Sequence, residues 1–527
     1  MNNAVVTIAI GDAYRRIAEM THPSLRDYAK KIGAEFVVID STKVSKTSPH
    51  YEKFQIYDLL NKYHRIAYID TDAIVRPDCP SLFDVVKPSE FGAFDEGAVM
   101  DRSDAMSSVC EEYGEKIDKW SGQYYNTGVM VVSRVHKQLF KPPPKEVWNF
   151  YEQSYINLRL IKDGVAVKPL DHCFNRMNCM DKLTGEHRLR SYVVHYAGVL
   201  KGLEGLIPDD LRRWAAGEHE RLRRNVVIGI GSNRLGDNIC SEPVARYIVN
   251  NSSQRTDFTL LAVYPAVLRH LEAPGVRVMG FDDIKYEPDK AYLHVNLAVD
   301  EKNPMKRFVT CDTMNMTDFT SIAALRRVLP DHDRRIKLPT SAKGMAELID
   351  IAGDEPCDFG KLVVVHPGRA WPSKTFPKAW WDEVIAGIAE TRRVAIIGAD
   401  TWQGQGTVEV DVPRGAIDFR NILSLEGMFN LLSRAQVLVT NDSGPLHAAG
   451  AFDNEIIVIP TCKHPDLIMP WRNGSKYWKA KALYKRLVCD AVPLDLTDLG
   501  AHKLHELVGD IMDYLPDPKD VIREATS

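Results

Sequence analysis

Short runs of aliphatic, largely β-branched residues recur along the chain, each followed by a turn and then a stretch with helical spacing of apolar side chains. The first run, "AVVTIAIG", ends on Gly11, and a helical stretch with Leu25, Tyr28 and Ala29 on one face follows. "AEFVVID" ends on Asp40, "YEKFQIYDLLNKY" sets Phe54, Tyr57, Leu60 and Tyr63 on one helical face, and "RIAYID" runs up to Asp70. Continuous apolar runs of this kind suit strands buried on both faces. Their alternation with helices predicts an α/β chain built on a doubly wound parallel sheet. Further strands are expected at "FGAF", "TGVMVVS" and "SYVVHY".

The texture changes at "GLIPDDLRRWAAGEHERLRRN", which is polar and basic and carries no strand signal. The strand–loop–helix pattern restarts at "NVVIGIGSNRLGDNICSEPVARYIVNN" and continues through "FTLLAVY", "VRVMGF" and "AYLHVNLAV". After a break near 339–359 a third series begins at "KLVVVHPGRAWPSKTFPKAWWDEVIAGIAE" and runs through "RRVAIIGAD", "VLVTNDSGPLHAAGAF" and "EIIVIPT". The tail "TDLGAHKLHELVGDIMDYL" reads as a helix. The expected organisation is a first domain over 1–204, a basic linker with a helix over 205–223, and two further α/β domains over 224–345 and 346–527.

Composition narrows the function. With 45% apolar and 26% charged residues the chain has an ordinary globular core, and its net charge of −4 gives no global basic field for non-specific nucleic-acid binding. The nine cysteines form no CxxC pair, as in a cytosolic protein with reduced thiols. No run approaches the roughly 18 apolar residues of a membrane span. The opening segment reads as a strand rather than a leader peptide. The expected location is the cytoplasm, with at most a peripheral place at the inner membrane surface.

The stretch "HRIAYIDTDAIV" carries the first chemical signal. It runs a core strand straight into Asp70 and Asp72, two like charges that are costly side by side unless a cation sits between them. Oxygen ligands favour Mg²⁺ or Mn²⁺, which bridge diphosphate oxygens well. A solvated loop, with one acid capping a helix, is the competing explanation. Two other segments weigh against it. "YYNTGVMVVSR" places Asn126, Thr127 and Gly128 before a buried strand, and "VVHYAGVLK" places His195 at a strand end, followed by Gly198 and Lys201. An imidazole can complete a metal shell, and a lysine can hold a phosphate as a point charge.

Together the Asp-x-Asp, the Asn-Thr-Gly and the His-x-x-Gly-x-x-Lys resemble the glycogenin-like family 8 glycosyltransferases of GT-A fold, over about residues 4–203. The resemblance implies sugar transfer from a nucleotide sugar, usually UDP-linked, with retention of configuration. It implies Asp70, Asp72 and His195 as ligands of Mn²⁺ (or Mg²⁺), Lys201 as the diphosphate contact and Asn126 facing the donor sugar. In "PLDHCFNRMN" Asp171 and Asn175 match the family's Asp-Gln-x-x-x-Asn pattern, with His172 in place of Gln, and Asp171 becomes a catalytic candidate. Gly202-Leu203 replaces the family's usual Pro-Trp after the lysine.

The second signal lies further on. In "GIGSNRLGDNICSEPVARYI" Arg234 stands where a dinucleotide fingerprint would have its third glycine, and Asp237 falls at a helix start, where capping alone is one explanation. "VVVHPGRAWPSKTFPKAWW" brings His366, Gly368 and Lys374 into a loop after a strand. "VTNDSGPLHAAGA" brings Asp442, Ser443 and Gly444 to a helix start, with His447 one turn inside it. Helix-end amides and Lys374 would hold an anion there without a metal. These segments resemble the family 9 glycosyltransferases, the ADP-heptose:lipopolysaccharide heptosyltransferases of GT-B fold. The resemblance implies Asp237 as the general base of an inverting transfer, with Lys374, Asp442, Ser443, Gly444 and His447 binding the donor diphosphate and no cofactor in this half.

The expected architecture is therefore an N-terminal GT-A-like doubly wound domain followed by two Rossmann-like domains in a GT-B arrangement. The expected function is bifunctional sugar transfer from a UDP-sugar and from an ADP-heptose-like or other nucleotide sugar to a glycan or lipid-linked glycan. Three other readings stand beside it. One keeps a single module active and treats the other as a binding domain; one makes the acceptor a modified base of DNA, tracked by Arg212, Arg213, Arg221, Arg223 and Arg224; and one makes the chain a lectin that needs no nucleotide. A solvated helix face explains those arginines more simply than nucleic acid does.

Overall fold

The computed structural model describes residues 2–117, 120–146, 149–198, 202–253, 255–287, 290–297, 314–353, 357–400, 406–491, 504, 506–507 and 509–527. The chain divides into two compact units, residues 1–225 with 288–293, and residues 226–287 with 294–527.

In the first unit, strands Asn3–Ile8, Glu35–Ile39 and Arg65–Ile69 form a parallel set on one side of a six-stranded sheet, with Asn3–Ile8 between the other two. The runs in Asn3–Ile8 and Arg65–Ile69 are buried on both sides, as their lack of alternation predicts, whereas the edge strand Glu35–Ile39 is half-buried. Val6, Ile66, Tyr68 and Met130 enter one core cluster, and Val5, Ala67, Ile69 and Val129 enter the other. Helix Asp12–Lys31 covers the second of these with Leu25, Tyr28 and Ala29. It has Asp12 in its first turn and Lys30 and Lys31 in its last, which suits the helix dipole.

Three expectations are corrected here. Strand Tyr125–Ser133, within which "TGVMVVS" lies, runs antiparallel to Arg65–Ile69, so the sheet is mixed. "SYVVHY" contributes strand Val193–His195 to a separate three-stranded sheet rather than to the main one. The single helix expected over 51–63 is two pieces, a 3₁₀ segment Pro49–Gln55 and an α-helix Ile56–Lys62. Ser48 caps the first piece, and the buried Glu52 carboxylate accepts from the backbone N–H groups of Lys43, Val44 and Ser45, fixing the tighter winding. That winding turns Lys53 into the interior.

Helix Leu203–Ala215 falls in the segment read as a linker. It packs Leu203, Ile207 and Trp214 against Ile74, Leu189, Val194 and Tyr196 of the first unit. Arg212 on it is exposed, and Arg213 pairs with Glu218.

The second unit holds a four-stranded and a six-stranded sheet. In the six-stranded sheet the central pair is Val363–His366 and Val437–Asn441. Val394–Ile396 and Ile417–Asp418 follow on one side, and Glu455–Ile459 and Ala480–Ala482 on the other, all parallel. Numbered along the chain this is the 3-2-1-4-5-6 order of a Rossmann sheet, whose crevice opens at the carboxyl ends of the central pair. Those ends carry His366 and Asn441-Asp442. The sheet is anchored by Trp380, Trp381, Val384 and Ile388 of helix Lys378–Ala389, with Trp381 fully buried. The helix expected over 497–515 lies largely outside the described residues. Where it is described, Gly509 adopts φ +91° and Asp510 caps a 3₁₀ turn, Ile511–Asp513, so no α-helix forms there.

Candidate active sites

In the first unit the site is assembled by strand register. Asp70 leaves its strand with its N–H donating to the Gly128 carbonyl at 2.8 Å. The chain turns at once into Ala73–Val75, which pairs antiparallel with Val193–His195 so that Ala73 faces His195. The Tyr196 N–H donates to the Asp72 carbonyl at 2.8 Å. Residues more than a hundred positions apart thereby converge. Ligand atoms of Asp70, Asp72 and His195 all lie within 4.8 Å of one another. His195 Nε2 is 3.6 Å from Asp70 Oδ2 and 3.4 Å from Asp72 Oδ1.

The His195 ring is buried, with Nδ1 2.8 Å from Asn175 Oδ1. A carboxamide oxygen only accepts, so Nδ1 carries the hydrogen and Nε2 faces the acids. Burial pulls the imidazole pKa down, but Asp72 and Asp70 outweigh it and raise it overall. Burial pushes Asp72 up, and His195 more than reverses this. Gly128 is required by close approach: a Cβ there would lie 2.2 Å from His195 Cε1 and 2.7 Å from Nδ1. Two carboxylates and one imidazole nitrogen around a common point form a donor set that fits Mn²⁺ or Mg²⁺.

Lys53, absent from the sequence-based site, completes the electrostatics. It is buried, with Nζ 3.3 Å from Asp70 Oδ1, 2.7 Å from Glu152 Oε1 and 3.2 Å from Thr127 Oγ1. Burial lowers its pKa, and Asp70 and Glu152 more than compensate, so the ammonium is held charged. Asp70 also accepts from the Tyr68 hydroxyl at 2.6 Å. Above these groups lies a cavity of about 820 Å³ that Asp70, Asp72, Asn126 and His195 line together with Tyr14, Arg16, His50, Tyr151 and Gly198. His50 and Tyr151 stack at 4.6 Å between ring centroids.

Asp171 is not brought to this cavity. Its side chain is 62% exposed and caps a 3₁₀ turn by accepting from the Cys173 N–H at 2.9 Å. Lys201 lies outside the described residues. Asn126 lines the cavity, but its side-chain amide is engaged by protein neighbours.

The second unit builds its site with cations of its own. Lys374 and Asp442 form a buried ion pair. Burial raises the Asp442 pKa, and Lys374 then His447 bring it below the usual carboxylate range. His447 Nε2 lies 3.9 Å from Asp442 Oδ1, and burial holds its imidazole below its ordinary value. Ser443 Oγ lies 3.0 Å from His366 Nδ1 and 3.1 Å from Thr440 Oγ1, and burial pushes the His366 pKa down to about 4. Asn441 Nδ2 donates to the Gly368 and Lys374 carbonyls at 2.9 and 2.8 Å, pinning the lysine loop to the strand end.

Asp237 is the third residue of helix Leu235–Asn250, not its cap, and Ser232 Oγ donates to its Oδ2 at 2.7 Å. A Cβ on Gly236 would lie 2.9 Å from His447 Cδ2, so that glycine lets the two helices meet. Asp237, Lys374, Asp442, Ser443, Gly444 and His447 line one cavity of about 290 Å³, joined by Arg234, Arg369, Trp371 and Lys463. Lys374 Nζ sits 4.2 Å from the Trp371 ring centroid and the Arg234 guanidinium 5.3 Å from it. The helix that begins at Gly444 has only six residues and carries Pro445, which has no N–H. Side-chain cations therefore supply more of the positive field than its end does. Sequence reading noted Arg234 only as a break in a fingerprint and missed Lys463; the run "SNRLGD" held a signal for the first, and "TCKHPD" offered no pattern for the second.

Residues 30–202 match the family model "Glycosyl transferase family 8", and residues 313–485 match "Glycosyltransferase family 9 (heptosyltransferase)". No curated protein matches the chain. Among solved structures, the iron-containing dodecameric glycosyltransferase TibC from enterotoxigenic E. coli H10407 is 20% identical, with 47% of this chain and 62% of that one covered and a TM-score of 0.36. The E. coli ADP-heptose LPS heptosyltransferase II is 14% identical, with 49% and 90% covered and a TM-score of 0.34. The bifunctional glycosyltransferase WbbM is 16% identical, with 42% and 51% covered and a TM-score of 0.30. The chain thus spans under two thirds of the length of TibC. The first matched segment contains Asp70, Asp72 and His195, and the second contains Lys374, Asp442, Ser443 and His447, whereas Asp237 precedes it. A segment that matches the family 8 glycosyltransferase model is thus followed, in one chain, by a segment that matches the family 9, heptosyltransferase model.

Proposed function

We propose that the chain carries two sugar-transfer activities, one metal-dependent in the first unit and one metal-independent in the second. The observation that carries this reading is the presence of two cavities, each with its own means of neutralising a diphosphate. In the first, Asp70, Asp72 and His195 would hold Mn²⁺ or Mg²⁺, which supplies Lewis-acid stabilisation of a nucleoside diphosphate leaving group when bound. Lys53 pairs with Asp70 and would hold it in place, and Lys201 would add a phosphate contact. The donor is a UDP-sugar.

In the second cavity, Lys374, Lys463 and Arg234 would meet the donor diphosphate, with Ser443 and Gly444 contributing polar contacts. Asp442 orients Lys374, and His447 stands between Asp442 and the Gly236-Asp237 turn. Asp237, which lines the cavity and accepts from Ser232 Oγ, would take the proton of an acceptor hydroxyl. The donor is ADP-heptose-like or another nucleotide sugar, and the acceptor of both steps is a glycan or lipid-linked glycan. Among the described residues no helix is long and apolar enough to cross a membrane; our reading places the chain in the cytoplasm, peripheral to the membrane that presents such an acceptor.

Donor hydrolysis by the full chain tests this. Asp72→Ala should abolish the Mn²⁺-stimulated release of UDP and spare the second activity, and Asp237→Ala should do the reverse. Loss of both activities in either variant, or of neither, would contradict the assignment.

A further inference from the structure

The His195 ring has two nitrogens, and only one orientation and one tautomer present a lone pair to the acids. The structure shows what fixes that choice. Asn175 is fully buried, and its Oδ1 lies 2.8 Å from His195 Nδ1 while its Nδ2 donates to Asn126 Oδ1 at 2.9 Å. Asn126 Oδ1 also accepts from the Gly128 N–H at 2.9 Å, and its Nδ2 donates to Glu96 Oε2 at 3.1 Å. Glu96 is 3% exposed and is held in turn by an ion pair with Arg102 and by Gln153 Nε2 at 3.3 Å.

The two ends of this chain admit a single direction. A carboxylate only accepts and a backbone N–H only donates. Glu96 and Gly128 therefore both require Asn126 to point Nδ2 at Glu96 and Oδ1 at Gly128. Asn175 must then offer Nδ2 to Asn126, which leaves Oδ1 for the imidazole, and Nδ1 must carry the hydrogen. We propose that Glu96, Asn126 and Asn175 are positioning residues that fix His195 in the tautomer a divalent cation requires, with Glu96 as the anchor. This rests on the metal reading of the first site and gives Asn126 a role that precedes any donor. Partners behind a metal-binding histidine are worth about 10–100-fold in metal affinity.

The test is Mn²⁺ binding by the full chain without nucleotide, read from the electron paramagnetic resonance signal of free Mn²⁺, alongside melting curves. Glu96→Leu deletes the anchor and should weaken Mn²⁺ binding about 10–100-fold, whereas Glu96→Gln, which keeps an acceptor for Asn126 but gives up the oxygen that meets Arg102, should weaken it less. Asn126→Asp sets two carboxylates against each other and should weaken binding similarly. Glu96→Gln with Asn126→Asp reverses the polarity of that one hydrogen bond, gives up the Gln153 contact to residue 96, keeps the links from residue 126 to Gly128 and Asn175, and should restore most of the affinity. If Glu96→Leu does not fold, the comparison of Asn126→Asp with the double variant decides. A folded Glu96→Leu that binds as wild type overturns the relay. So does an Asn126→Asp with unchanged affinity, as expected of a residue that only faces the donor sugar, or a double variant no better than the single. If the wild-type chain binds no Mn²⁺, the metal reading itself falls and the relay with it.

Discussion

The two cavities carry opposite charge inventories. In the first unit Asp70 and Asp72 stand at the cavity floor, and the buried cation beside them, Lys53, is shared between Asp70 and Glu152. In the second unit Lys374, Lys463, Arg234 and Arg369 share a smaller cavity with Asp237 and Asp442. One site gathers acids that call for a cation from solution; the other carries fixed cations in its own side chains. A leaving diphosphate can be stabilised either way, because what matters is positive charge placed before the bond breaks. On the proposed reading, the sign of the fixed charge at a strand end, more than the fold beneath it, would separate a site that imports its cation from one that does not.

The largest expected effect comes from removing the acids that define the first inventory. Asp72→Ala should lower Mn²⁺-dependent UDP release by about 10³-fold, measured against the activity of the second unit in the same sample. Close behind is the converse change. Lys374→Met leaves Asp442 buried without its partner, and breaking such a pair costs about 3–5 kcal/mol. It should show as a lower melting temperature and loss of metal-independent nucleotide binding. If the variant keeps both, the second inventory is not the working one.

A pH titration separates the units further. His366 is buried and neutral, with its pKa pushed from about 6.5 to about 4. Between those values the unfolded chain binds a proton that the folded one does not, so stability rises with pH there and is lost as pH falls from 6.5 toward 4. The loss from this one group approaches about 3 kcal/mol, and His366→Gln should flatten that part of the melting-versus-pH curve. The smallest expected effect sharpens the geometry of the first site. Gly128→Ala should push the His195 ring aside and weaken Mn²⁺ binding about 10-fold, measured by titration, while leaving nucleotide binding by the second unit as it was.

Much of both sites was legible because strand ends advertise themselves. Asp70, His195 and Asp442 each follow or end an apolar run, and the register of Ala73 against His195 and the pairing of the two central C-terminal strands bring them to cavities. What could not be read is what depends on winding or on partners. Lys53 sits inside a segment with helical spacing, where a lysine reads as solvated, and the 3₁₀ turn held by Glu52 points it inward. Glu96 and Asn175 have no periodicity that marks them, because their role depends on Asn126 and His195 reaching them through the fold. Asp171 shows the opposite failure: a motif position whose carboxylate is used locally, on the Cys173 N–H. The antiparallel course of Tyr125–Ser133 was hidden because a buried strand reads the same in either direction.

The most direct test of the account is calorimetric titration of the full chain with UDP and with ADP, each in Mn²⁺ and in EDTA. The account predicts that UDP binds in Mn²⁺ alone and that ADP binds equally in both. A single nucleotide-binding event, abolished for both nucleotides by EDTA or indifferent to it for both, would contradict the claim that one unit imports its cation and the other carries its own.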